Sequence, residues 1–95
     1  APMPEDQVAA GTPEVGFVEL DDASGIGVWV HSPGVSRDVE VDEVFVVLAG
    51  DARLEFEHPE LPAVELRPGA IVRLEEGMRT GWTVRETLRK VYIAP

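Results

Sequence analysis

What constrains this chain most is its cadence of short β-forming runs and turn signals. The runs are EVGFVEL (14–20), IGVWV (26–30), EVFVVLA (43–49), ARLEFEH (52–58), AVELR (63–67), AIVRL (70–74), GWTVRE (81–86) and LRKVYI (88–93). Between them stand DDASG, SPG, GD, PELP, PG and EEG. No segment sustains the 3.6-residue period of a helix. Short strands at roughly 8–12-residue spacing, bounded by Gly, Pro and Asp, predict an all-β barrel or sandwich.

The length of 95 residues predicts one domain. We place it at residues 14–95. Residues 1–13 (APMPEDQVAAGTP) are rich in proline and lack periodicity, which predicts a flexible arm or an edge segment. Net charge is −10, from 18 acidic and 8 basic residues. A phosphate backbone is repelled by such a surface, so no nucleic-acid partner is expected. No apolar run approaches the roughly 20 residues of a membrane helix, so no membrane partner is expected either. The chain has no cysteine, which removes thiolate chemistry and suits a cytoplasmic setting. It also lacks a phosphate-cradling glycine loop and a GxSxG elbow.

One stretch stands apart. In DEVFVVLAGDARLEF (42–56) the carboxylate Glu43 opens an otherwise apolar run that ends at Gly50. Strand alternation groups Glu43 with Phe45 and Val47 on one face, and Val44, Val46 and Leu48 on the other. Both faces are apolar, so both need cover. A neighbouring strand, the N-terminal arm or a second subunit would supply it. A homodimer is the expected assembly.

Glu43, six residues and Gly50 match the second half of the first cupin motif. PGAIVRLEEG (68–77) has the glycine frame of the second. With GVWV (27–30), SPG (32–34) and GWTVRETLRKVY (81–92), the chain resembles a subgroup of small single-domain cupins. That subgroup is related to ureidoglycine aminohydrolase and the ethanolamine-utilisation cupins. The resemblance covers residues 14–93. It implies a cupin jelly-roll barrel of two antiparallel sheets with a pocket at one open end. Gly50, Gly69 and Gly77 are then expected at sharp turns between strands.

The resemblance also implies a metal held by an HxH pair, a Glu and a later His. Glu43 stands at the Glu position. The HxH pair falls on Arg37 and Val39, or on Ser36 and Asp38, and the later His falls on Thr80. At most Glu43 with Asp38 remains, too few donors for a tight transition-metal site. No metal and no cofactor are therefore expected. His31 and His58 read as polar strand ends.

By the same resemblance Glu43 points into the barrel with Phe45. Thr80 falls on the later His position, and Trp82, which shares a strand face with Val84, is a further pocket candidate. The last strand is ambiguous. Hydrophobicity turns Val91 and Ile93 inward, whereas the resemblance turns Lys90 and Tyr92 inward. In the second arrangement Lys90 is expected to pair with Glu43, giving the pocket an anchor for a small zwitterion or carboxylic acid. Trp29 and Trp82 read as an aromatic wall or as core. The expected function is binding of a small organic metabolite without a catalytic metal. The alternatives are an enzyme acting on a small nitrogen-containing acid and a dimerisation module with a vestigial pocket.

Overall fold

The computed structural model describes residues 3–21 and 23–94. After a single 3-10 turn (Glu5–Gln7), the chain forms β1 (Val8–Ala10), β2 (Val15–Asp21), β3 (Ile26–His31), β4 (Gly34–Val39), β5 (Glu43–His58), β6 (Leu61–Leu66), β7 (Ile71–Leu74) and β8 (Arg79–Ile93). Among the described residues no helix is long and apolar enough to cross a membrane.

Every strand pairing is antiparallel, and two long strands organise them. The C-terminal half of β8 and the N-terminal half of β5 lie between β3 and β7, giving the order β2–β3–β8–β5–β7. Their other halves lie between β4 and β6, giving β1–β4–β8–β5–β6. The two sheets of the jelly roll therefore share β5 and β8, which bend from one sheet into the other. This is the jelly-roll barrel of two antiparallel sheets that the resemblance implies.

Gly50 shows how the bend is made. It is not a turn between two strands, as the GD signal suggested. It lies inside β5, where the register with β8 slips at Val47/Ala49, Ala49/Asp51 and Asp51/Ala52. Its φ is +104°, and a β-carbon there would come within 2.3 Å of the Thr87 carbonyl oxygen. The bends of β5 and β8 nest against each other at this point, and only a residue without a side chain fits. Gly69 and Gly77 do occupy inter-strand turns.

GWTVRE and LRKVYI likewise fuse into the single strand β8. β4 was not anticipated, since SPG was read as an end rather than a start. Of the two readings of the N-terminal segment, Val8–Ala10 take the edge position, paired with β4.

The core lies between the sheets. Phe45, Val47, Ala52, Leu54, Leu66, Leu74, Trp82, Val84 and Leu88 are buried there. His31 does end β3, but it is fully buried there and not solvated. Its Nε2 meets Ser36 Oγ at 2.9 Å and its Nδ1 meets the Ser32 carbonyl at 2.6 Å. Burial lowers its pKa, which favours the neutral imidazole. His58 ends β5 and is exposed.

Candidate functional site

The register of the first sheet decides the ambiguity in β8. Trp29 lies opposite Lys90, and Lys90 opposite Val47. Phe45 and Val47 are buried between the sheets, so Lys90 points there too, with only 4% of its surface exposed. Ile93, on the opposite face, is 43% exposed. Hydrophobicity alone gives the wrong face for this strand.

A buried ammonium is tolerable only with partners. Lys90 Nζ donates to Glu43 Oε2 at 2.7 Å, and the two side chains are 5% and 12% exposed. The same ammonium lies 4.5 Å from the Trp29 ring centroid, 4.3 Å from Phe45 and 4.8 Å from Trp82. An aromatic cage that elsewhere takes a ligand cation is here occupied by the chain's own lysine. Trp29 and Trp82 pack at 5.5 Å between centroids, and Phe45 and Trp82 at 5.7 Å.

Above this group opens a cavity of about 240 Å³, lined by Phe17, Trp29, Asp38, Glu40, Glu43, Trp82, Lys90 and Tyr92. β2 and β3 bring Phe17 and Trp29, β4 brings Asp38, and β8 brings Trp82, Lys90 and Tyr92. Gly27 makes room for Tyr92. A β-carbon at residue 27 would meet the tyrosine hydroxyl at 2.3 Å.

Of the residues singled out from the sequence, Glu43, Trp29, Trp82, Lys90 and Tyr92 meet at this cavity. Phe45 lies beneath it as core, touching the Lys90 ammonium with its ring. Thr80 lies behind it, fully buried, and acts on a residue the sequence reading missed.

That residue is Glu40, only 7% exposed. It sits in the link between β4 and β5, pinned by backbone bonds to the Gly77–Met78 turn. Its N–H donates to the Met78 carbonyl at 2.8 Å, and its carbonyl accepts from Gly77 N–H at 3.0 Å. Its Oε2 accepts the Thr80 hydroxyl at 2.6 Å and the Trp82 indole N–H at 3.3 Å. Burial pushes its pKa up, and the charge of Asp38 adds to this; the Thr80 and Trp82 bonds oppose it. Asp38 stands at the mouth, open to solvent on one side. The protein mass around its carboxyl raises its pKa as well, against hydrogen bonds from Val39 N–H and from Gln7 Nε2 at 3.2 Å.

These directions give a signed prediction. A carboxyl whose folded pKa is raised stabilises the fold when protonated, and that contribution is lost as pH rises through the folded value. Glu40→Gln keeps an acceptor for Thr80 and removes the charge. Its melting temperature is expected to exceed the wild type's at pH 7. The difference should shrink as pH falls below the ordinary carboxylate range. Thermal melts between pH 4 and pH 8 measure this, and a wild type more stable than the variant at pH 7 contradicts it.

The cavity does not fit the cupin metal. Among the described residues no three His, Cys, Asp or Glu side chains are arranged to hold an ion. Glu43 spends one oxygen on Lys90, and Thr80, at the position of the later His, donates to Glu40.

Solved structures share this architecture. A putative ethanolamine utilization protein Q from Salmonella typhimurium LT2 is 19% identical over 84% of this chain and 68% of its own, with a TM-score of 0.65. The EutQ protein of Clostridium difficile is 13% identical, covering 93% of this chain and 74% of its own, with a TM-score of 0.68. A DUF861-family protein of unknown function from Pseudomonas syringae pv. tomato is 21% identical over 97% of this chain and 41% of its own, with a TM-score of 0.77. No curated protein sequence matches. The EutQ-like cupin family model matches residues 18–92, which takes in β3 to β7, the second half of β2, all of β8 but its last residue, and every residue that lines the cavity except Phe17. The chain belongs to the EutQ-like cupin domain family.

Proposed function

We propose that this cupin barrel binds a small organic molecule in the cavity between its sheets, with the Glu43–Lys90 pair as its polar floor. The observation that carries the reading is the buried ion pair itself. An apolar pair of similar volume at this place would serve packing as well or better, because burying two charges is costly. Here the pair is set at the base of an open cavity with aromatic walls and a few convergent polar groups, the usual make-up of a ligand site. Native mass spectrometry after incubation with a filtered small-metabolite extract tests this. The expected result is an added small mass on the wild type, absent from the Glu43→Gln/Lys90→Met double variant. Binding by both proteins alike argues against the site.

The outer face of the first sheet supports a homodimer. Across five neighbouring strands, Val18 lies opposite Val28, Val28 opposite Val91, Val91 opposite Val46, and Val46 opposite Ile71. All point away from the core, and the flanking Val18 and Ile71 are 62% and 70% exposed. A continuous β-branched row of this kind is an unusual surface for a monomer. A two-fold contact lays the row against its own copy. Sedimentation equilibrium at micromolar concentration is expected to give twice the monomer mass, with Val46→Glu weakening association at least tenfold. A monomeric wild type contradicts this assembly.

A further inference from the structure

The charges that face the cavity are unbalanced. Asp38, Glu40 and Glu43 line it, against one cation, Lys90. Lys90 is in direct contact with Glu43 alone and reaches Asp38 and Glu40 only through its field, so the lining keeps an excess of negative charge. Arg37 borders an adjoining recess instead.

Glu40 is more than nine-tenths buried, yet only its Oε2 is engaged. Among the described residues nothing donates to Oε1. Every fully enclosed side-chain polar atom among the described residues has a partner, so Oε1 is accessible, and the recess that Glu40 lines is this cavity. Likewise Asp38 Oδ1 takes the bonds from Gln7 and Val39, and Oδ2 takes none. The Glu40 oxygen thus comes from a deeply buried side chain whose place is fixed by four hydrogen bonds, and the exposed Asp38 carboxyl borders the same cavity at its mouth. Phe17 and Tyr92 add aromatic faces that favour positive charge. At about 240 Å³ the space is smaller than the roughly 300–1,000 Å³ of drug-sized sites, so the occupant is compact.

We infer that the cavity selects a small organic cation, a protonated amine or amidine on a short apolar body, with Glu40 and Asp38 setting the preference for positive charge. This rests on the reading of the cavity as a binding site and names its ligand class. Lys90 does not attract a carboxylate ligand in this arrangement. Its charge is already met by Glu43, and an entering anion faces Asp38 and Glu40 at close range.

The probes are n-propylammonium chloride, sodium propionate and propionamide, which share a short chain and differ in charge. Binding is followed by the two tryptophan indole N–H signals in nitrogen–proton NMR, because both tryptophans line the cavity. Propylammonium is expected to shift both signals at concentrations at least tenfold lower than propionate, with propionamide between them. Glu40→Gln is expected to weaken propylammonium binding at least tenfold and to leave propionamide binding within twofold. Asp38→Asn, at the exposed mouth, gives the same comparison if Glu40→Gln fails to fold. If propionate binds the cavity as tightly as propylammonium or more so, the cation preference is wrong while the binding site stands. If no probe shifts either signal at any concentration, both are wrong. Unchanged propylammonium affinity in both variants overturns the roles of Glu40 and Asp38.

Discussion

Replacing Lys90 by Met is expected to cost roughly 3–5 kcal/mol of stability, because Glu43 then remains charged in a site that is only 12% exposed. Glu43→Gln strands the ammonium in the same way, although the cage of Trp29, Phe45 and Trp82 still favours its charge. Its loss should therefore be the smaller of the two. The double variant leaves no lone charge and is expected to recover part of the deficit. Urea titrations of the four proteins give the coupling free energy directly. Single effects that simply add would mean that the two groups do not act as a pair.

Gly50→Ala is expected to be at least as damaging as a typical core truncation, at about 3 kcal/mol or more. Two terms combine. A side chain at φ +104° brings backbone strain of about 1–3 kcal/mol. The overlap with the Thr87 carbonyl at 2.3 Å is with backbone and is not relieved by a rotamer change. The same substitution at Gly69, where a β-carbon meets nothing within 4 Å, carries only the first term. The two midpoints in urea should therefore differ, with Gly50→Ala the lower. Equal losses would show that the nesting of β5 against β8 does not matter.

These residues also show where sequence reasoning succeeds in this chain. A strand such as 52–58 announces itself because its alternation matches its environment, with Leu54 and Phe56 turned to the interior and Arg53 and Glu55 to solvent. The cavity inverts that rule. In β4 and the following link, Ser36 and Glu40 are buried and Asp38 stands at the cavity mouth. Val39 and Val41 are 64% and 57% exposed. Hydrophobicity orients such a segment backwards, and this hides Glu40.

The last strand is inverted in the same sense, with Lys90 inside and Ile93 outside. There the family resemblance supplied what hydrophobicity could not. Gly50 reads from the sequence as a sharp turn between strands. Its role as a bend within one strand depends on Thr87, 37 residues later, and no local pattern carries that. Phe17 was seen on a strand, but its face is set only by pairing with Trp29.

The inverted stretches coincide with the cavity, and this is the pattern expected where function overrides local preference. Burial raises the pKa of Glu40, so its charge opposes folding at neutral pH, a cost that an apolar side chain in its place would not carry.

The most direct measurement follows the indole signals of Trp29 and Trp82 while wild-type protein is titrated with pooled small polar metabolites that include amines, amides and carboxylic acids. The chain has only these two tryptophans, and both line the cavity, so any occupant must disturb at least one. The account predicts saturable shifts of both signals in at least one pool, lost in the Glu43→Gln/Lys90→Met double variant. Indole signals that stay fixed through every pool, in a protein that remains folded, would contradict it.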